Sequence, residues 1–221
     1  MTRGDRELQT TQHAVVRWPI VALGWVGGLV VAWLFAMYVK SQGDWNSGLP
    51  WERSLVLGLP RPLPAWLDTI LYYSPWLGTN WTLIPAALLT AWWLAYRRGR
   101  RDLGLHLAVV QVGTLVLHQS IKALTSRPRP DLVPRRGQYA QMSYPSGHTV
   151  TIIGTLFTVA IMLHRERGWR WPYAVAALVL LISSYARIYL GVHWPTDVIG
   201  GVLAGVCWLA GTLMAFKDRN S

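Results

Sequence analysis

Long apolar runs, separated by short clusters of basic residues, set the pattern of this chain. A helix that crosses a bilayer needs about 20 mostly apolar residues, and the runs meet that length. The first is Pro19 to Val39, PIVALGWVGGLVVAWLFAMYV. A secretory signal peptide is the competing interpretation, but the apolar core is long and no A-x-A-like cleavage site follows, so a retained helix is favoured. The second span runs from Asn80 to Tyr96, extended backward through Leu71–Leu77, and the third from Leu103 to Ala123. Gly147 to Leu163, Trp171 to Tyr189 and Pro195 to Phe216 complete the set. The predicted fold class is therefore all-α, a six-transmembrane-helix bundle with an interfacial segment between helices 1 and 2. That segment, 41–69, mixes Trp, Leu, Pro and charges, is too broken to span, and is placed to cover a site at the membrane surface. No polar linker or repeat divides the chain, which reads as one domain over 1–221.

Composition strengthens the membrane reading. Of the 221 residues, 52% are hydrophobic and 14% charged, where soluble domains carry about 25% charged residues. The net charge of +11 raises the question of nucleic acid. The basic residues cluster between apolar runs, as topology demands, and do not interleave along a soluble face, so no nucleic-acid partner is expected. The single cysteine, Cys207, lies in an apolar run and excludes an intrachain disulfide. One side of the slab receives Arg3, Arg6, Arg17, Arg97, Arg98, Arg100, Arg101, Arg165, Arg167, Arg170, Lys217 and Arg219. The other holds Lys40, Arg53, Arg61, Lys122, Arg127, Arg129, Arg135, Arg136 and Arg187. With those that have chemical reasons set aside, the excess puts both termini in the cytoplasm. Trp45, Trp51, Trp66 and Trp76 then mark the outer boundary, and Trp18, Trp92, Trp93, Trp169 and Trp171 the inner one.

With that topology, the unusual polar residues collect at the outer boundary. Lys122 ends the third span and Arg127-Pro-Arg129-Pro130 follows it; Pro145-Ser146-Gly147-His148 opens the fourth; Arg187 closes the fifth and His193-Trp-Pro-Thr-Asp197 opens the sixth. Ionisable residues at membrane depth are costly and point to function. Lys122, Arg129 and Arg187 supply positive charge, the arginines as planar forks suited to phosphate oxygens. Ser146 and Gly147 sit at a helix start, where free N–H groups and the helix dipole favour an anion. Two histidines remain for catalysis, and Asp197, four residues after His193, is spaced to hold one imidazole nitrogen and aim the other.

The pattern Lys122-x6-Arg129-Pro130, Pro145-Ser146-Gly147-His148, Arg187-x5-His193-x3-Asp197 resembles the type 2 phosphatidic acid phosphatase superfamily. Its members include membrane lipid phosphate phosphatases, glucose-6-phosphatase and soluble vanadium haloperoxidases; six apolar spans argue against the last. The resemblance implies His193 as nucleophile, forming a phosphohistidine, Asp197 orienting it, and His148 protonating the leaving oxygen and then activating water. It implies Lys122, Arg129, Ser146, Gly147 and Arg187 as the phosphate cradle. Asp68 and Asp131 are outer-side carboxylates with no second ligand cluster nearby, so no catalytic metal and no cofactor are expected. The implied substrate is a phosphorylated membrane lipid: an isoprenoid diphosphate, phosphatidylglycerophosphate or phosphatidate. The single cysteine and the short loops lean to a bacterial cell membrane, where the topology puts the site on the periplasmic or extracellular side. Two other readings stand beside this one, a lipid phosphotransferase using the same intermediate and a non-catalytic lipid-phosphate binding or transport protein. One departure is Ala186, where the family usually has serine; Ser184 is expected to point elsewhere on the helix.

Other polar residues have blander readings. Arg127 is expected to meet lipid headgroups, and Arg135 and Arg136 to form a solvated loop face. His118, one turn before Lys122, reads as a satisfied intramembrane histidine, and Gly200, Gly201 and Gly205 as close helix packing.

Overall fold

The computed structural model describes residues 16–135 and 141–216, apart from the side chain of Asn80; Arg3, Arg6, Arg136, Lys217 and Arg219 lie outside them. Eight helices in this region are α1 (Trp18–Ser41), α2 (Pro50–Gly58), α3 (Ala65–Tyr73), α4 (Asn80–Tyr96), α5 (Arg101–Thr125), α6 (Gly147–Arg167), α7 (Trp171–Tyr189) and α8 (Pro195–Ala215). Among the described residues, α1, α5, α6, α7 and α8 are long and apolar enough to cross a membrane. The sixth span, α4, has 17 residues, the lower end of what the hydrocarbon core requires. The predicted backward extension of this span is not one helix. A short 3₁₀ turn over Ser74–Gly78 separates α3 from α4, and the Thr79 hydroxyl caps α4 by accepting from the Thr82 N–H.

Local chemistry sets the helix boundaries. Prolines stand in the first turns of α1, α2, α7 and α8, where the missing N–H costs nothing. Gly168 closes α6 in the left-handed conformation, at φ 71°. Within α6 the Ile152–Phe157 stretch widens to π-helical turns, a feature frequent at functional sites.

Small residues let the spans approach one another. A Cβ on Gly24 of α1 would stand 2.6 Å from the Gly211 Cα of α8, and one on Gly201 would stand 2.9 Å from the Ser146 carbonyl oxygen. The second contact presses α8 against the opening of α6 and brings the two motifs they carry together. Indole N–H groups tie the bundle further, Trp208 to the Val110 carbonyl at 3.1 Å and Trp25 to the Gly113 carbonyl at 3.2 Å. Up-and-down order puts the ends of α1, α5 and α7 and the starts of α4, α6 and α8 at one face, with α2 and α3 beside it. Most of the tryptophans expected in the two belts are exposed on the bundle surface. Trp45 is the exception: it is buried against Tyr144 and the Arg127 guanidinium.

Candidate active site

A cavity of about 150 Å³ opens at the face where the three motifs meet. Gly78, His118, Lys122, Arg129, Gly147, His148, Arg187 and His193 line it. Six of these were expected from the sequence, and no carboxylate is among the lining residues. A pocket walled by cations and imidazoles, with apolar helices around it, concentrates field for an anion.

His193 is the most constrained member. The chain leaves α7 at Tyr189, and the His193 N–H donates to the Arg187 carbonyl at 3.2 Å, which fixes the ring at the threshold of α8. Its Nδ1 lies 3.2 Å from Asp197 Oδ2, one turn into α8, and its Nε2 lies 3.3 Å from an Arg129 N–H. With Nδ1–H donating to the carboxylate, Nε2 carries the lone pair and accepts from Arg129. Burial, then Arg129, Arg187, Lys122 and His148, all disfavour an added proton and hold the His193 pKa well below the ordinary 6.5.

The cradle residues are held by backbone groups. Lys122 Nζ donates to the carbonyls of Met142 and Ser143 at 3.0 and 3.1 Å, and Arg129 donates to the Val192 carbonyl at 2.5 Å. Gly147 opens α6 with the His118 ring close by, where a Cβ would stand 3.3 Å from two ring atoms. His118 therefore belongs to the cavity wall. Ser146 is fully buried and is not among the lining residues; its N–H donates to the Asp197 carbonyl at 2.9 Å, while its hydroxyl has no hydrogen-bond partner among the described residues. That N–H thus holds α6 to α8 and is not one of the free donors expected at this helix start. Ala186 is buried; Ser183, one turn before Arg187, is the buried serine of this stretch, and Ser184 is partly exposed.

Arg127 overturns its expectation. It does not meet headgroups: it is fully buried and forms ion pairs with Asp197 Oδ1 at 2.9 Å and Glu52 Oε2 at 2.8 Å. Its fork also donates to Thr196 Oγ1 at 2.6 Å and to the Trp45 carbonyl at 3.1 Å, with the Trp45 and Trp194 rings on its faces. Arg135 does lie exposed, 3.8 Å from Asp131. Glu52 and Gly78 were missed from the sequence. The lone carboxylate in an apolar stretch was the available signal for the first; Gly78, in a loop after an apolar run, carried none. Among the described residues no group of three His, Cys, Asp or Glu is arranged to hold a metal ion.

The sequence and the fold are similar to those of known proteins. The family model described as the PAP2 superfamily matches residues 103–221. The chain is similar to an undecaprenyl-diphosphatase of Sulfolobus acidocaldarius, 31% identical over 85% of this chain and 86% of the relative. It is similar to phosphatidylglycerophosphatase B of Bacillus subtilis, 27% identical over 64% of this chain and 71% of the relative. The fold is shared with the crystal structure of a transmembrane PAP2 type phosphatidylglycerolphosphate phosphatase from Bacillus subtilis. The TM-score is 0.74 at 22% identity, covering 87% of this chain and 98% of that one.

Proposed function

The chain belongs to the PAP2 superfamily, and from that premise we propose that it is a membrane lipid phosphatase working through a phosphohistidine on His193. The observation that carries the proposal is the pairing of His193 Nδ1 with Asp197 at 3.2 Å beside a cavity lined by Lys122, Arg129 and Arg187.

In the first step the Nε2 lone pair attacks the terminal phosphorus and its bond to the leaving oxygen breaks, the lipid's own oxygen in a monoester or the bridging oxygen in a diphosphate. His148 gives its proton to that oxygen, and the lipid alcohol or, from a diphosphate, the lipid monophosphate departs. Asp197 stabilises the positive charge that develops on the imidazole. In the second step His148 takes a proton from water, hydroxide attacks phosphorus, and inorganic phosphate leaves neutral His193 behind. Lys122, Arg129, Arg187 and the Gly147 N–H oppose the charge on the equatorial oxygens; the Ser146 hydroxyl, next to Gly147 and without a hydrogen-bond partner among the described residues, is assigned to the same oxygens as a donor that reaches them only once the buried Ser146 side chain turns toward the cavity. An incoming phosphoryl oxygen competes with Nε2 for the Arg129 N–H at 3.3 Å, and taking it frees the lone pair for attack.

The substrate we assign is a phosphorylated lipid of the isoprenoid diphosphate, phosphatidylglycerophosphate or phosphatidate class. The names of the relatives support this range, as does a site at the end of apolar helices, where a headgroup lies while its tail stays in the bilayer. We further assign 1–221 to one domain in a bacterial cell membrane, with both termini cytoplasmic and the site on the outer side. Phosphate release by the detergent-purified protein from a panel of these lipids tests the reading, with His193→Ala as control. Release by His193→Ala at the parent rate would refute it, and transfer of phosphate to an acceptor lipid would make the enzyme a phosphotransferase.

A further inference from the structure

Helix α2 lies in the interfacial segment and turns Trp51, Leu55 and Leu57 outward. Its inward face carries Val56 and one carboxylate, Glu52, both fully buried. Four donors converge on that carboxylate. Oε2 accepts from Arg127 at 2.8 Å and from the Leu49 N–H at 3.0 Å; Oε1 accepts from the Thr196 N–H at 3.1 Å and its hydroxyl at 2.6 Å. Arg127 in turn holds Asp197 Oδ1 at 2.9 Å, and Asp197 Oδ2 meets the His193 ring. A continuous buried chain of charges therefore runs from the interfacial helix to the imidazole: Glu52, Arg127, Asp197, His193.

From this chain we infer that Glu52 is a positioning residue for the nucleophile, acting through Arg127 on Asp197. The inference rests on the role proposed above for His193. Arg127 is fully buried and absent from the cavity wall, and each nitrogen of its fork already donates to a protein oxygen, so it does not reach a phosphate. Its place is behind Asp197, where it fixes one carboxylate oxygen and leaves the other to the imidazole. Its single positive charge is shared between two carboxylates. Without Glu52 that charge falls on Asp197 alone, and the aspartate is less able to stabilise the imidazole as it becomes cationic on bonding phosphorus. An ion pair serving only to glue α2 to the bundle would be replaceable by packed apolar side chains. This one ends on the group assigned the chemistry.

Glu52→Gln tests the idea, because all four partners of the carboxylate are donors and the amide NH₂ group faces two of them in either orientation. The full chain is purified in detergent and assayed on a short-chain phosphatidate. Its six histidines are labelled with ¹⁵N so that the ring signals report tautomers, the His193 signal being the one that His193→Ala removes. We expect Glu52→Gln to lower kcat about tenfold or more with KM changed by less than about threefold, and to convert the His193 ring from one tautomer to a mixture. Glu52→Asp should recover most of kcat. Should Glu52→Gln not purify as a folded protein, Arg127→Lys takes its place, since an ammonium cannot bridge both carboxylates as the planar fork does. Parent kcat, a loss expressed only in KM, or an unchanged His193 signal would overturn the inference. If His193→Ala still hydrolyses substrate, the underlying reading fails instead; if it is inactive while Glu52→Gln matches the parent, the positioning role alone fails.

Discussion

Replacing Asp197 by Asn asks whether the carboxylate does more than fill space. Three donors point at it: Arg127 on Oδ1 at 2.9 Å, and the Trp194 N–H at 2.8 Å and His193 Nδ1 at 3.2 Å on Oδ2. A carboxamide offers one acceptor where the carboxylate offered two. If its oxygen takes the Oδ2 place, its NH₂ group faces a buried guanidinium. If its oxygen takes the Oδ1 place, the NH₂ faces the imidazole, which must then present a lone pair at Nδ1 and carry its proton on Nε2. An unmet buried donor costs about 1–3 kcal/mol, and more when charged; the first arrangement leaves the Arg127 guanidinium so placed, and the second leaves the Trp194 N–H and sets Nε2–H against Arg129. In the second, Nε2 is protonated. The attacking lone pair is then lost.

A hydrogen bond to a charged group is worth about 1.5–3 kcal/mol, which sets a floor of roughly 10- to 150-fold on the rate. The wrong tautomer adds to that floor; in the Ser-His-Asp triad the same substitution costs about 10⁴ in kcat by this route. The expectation for Asp197→Asn is a kcat loss of about 10³–10⁴, with KM little changed because the lining cations are untouched. Glu52 still pairs with Arg127 at 2.8 Å, so the variant should purify folded. Phosphate release from a short-chain phosphatidate, analysed for kcat and KM separately, is the assay. A variant within about threefold of the parent kcat would show that Asp197 does not set the tautomer of His193.

Five further outcomes follow from the same geometry. Because burial and the neighbouring cations hold the His193 pKa well below 6.5, the nucleophile stays neutral as pH falls through that value. The acid limb of kcat/KM should therefore lie below 6.5, and a limb at or above it would contradict the assignment; unfolded His193 takes up a proton at higher pH than folded, so stability should also decline as pH drops under 6.5. Gly48→Ala should lower both melting temperature and kcat, since Gly48 has φ 81° and a Cβ there would overlap the Trp194 ring beside His193; the backbone alone costs about 1–2 kcal/mol, read by thermal unfolding. Gly24→Val should destabilise by about 1–3 kcal/mol through overpacking against Gly211, with KM retained by the molecules that remain folded. Hydrolysis should persist in excess chelator, and its abolition would require a metal step.

What could be read from the sequence, and what could not, divides along a physical line. A span is a property of one contiguous stretch, so its length and apolarity show it, and all the helices expected to cross are present within a few residues. Lys122, Arg129, His148, Arg187 and His193 were legible for a related reason: charge at the end of an apolar run is expensive, and only chemistry or topology explains it. Arg127 and Arg135 look alike on that criterion, as basic residues in one loop. What separates them is a carboxylate 75 positions earlier in the chain, and no local pattern reports a contact of that range. The break at Thr79 escaped because Leu71–Leu77 is apolar enough to read as more of the same helix.

The correction at Arg127 also bears on orientation. At the face carrying the cavity, Lys122, Arg127, Arg129 and Arg187 have local partners or line the site. Arg61 is tied there as well, donating to the Val56 and Tyr189 carbonyls at 2.8 Å each and lying over the Tyr189 ring. That leaves Lys40, Arg53 and Arg135 as this face's exposed loop charges within the described residues, with Arg53 donating to the Ser47 carbonyl at 3.0 Å and Arg135 lying 3.8 Å from Asp131. The opposite face keeps Arg17, Arg97, Arg98, Arg101, Arg165, Arg167 and Arg170, with Arg100 paired to Asp102 and Glu166. A raw count that looked nearly balanced becomes lopsided once charges held for structure or chemistry are removed. The rule that cytoplasmic loops carry the excess of Lys and Arg then supports the proposed orientation more strongly than the sequence alone did.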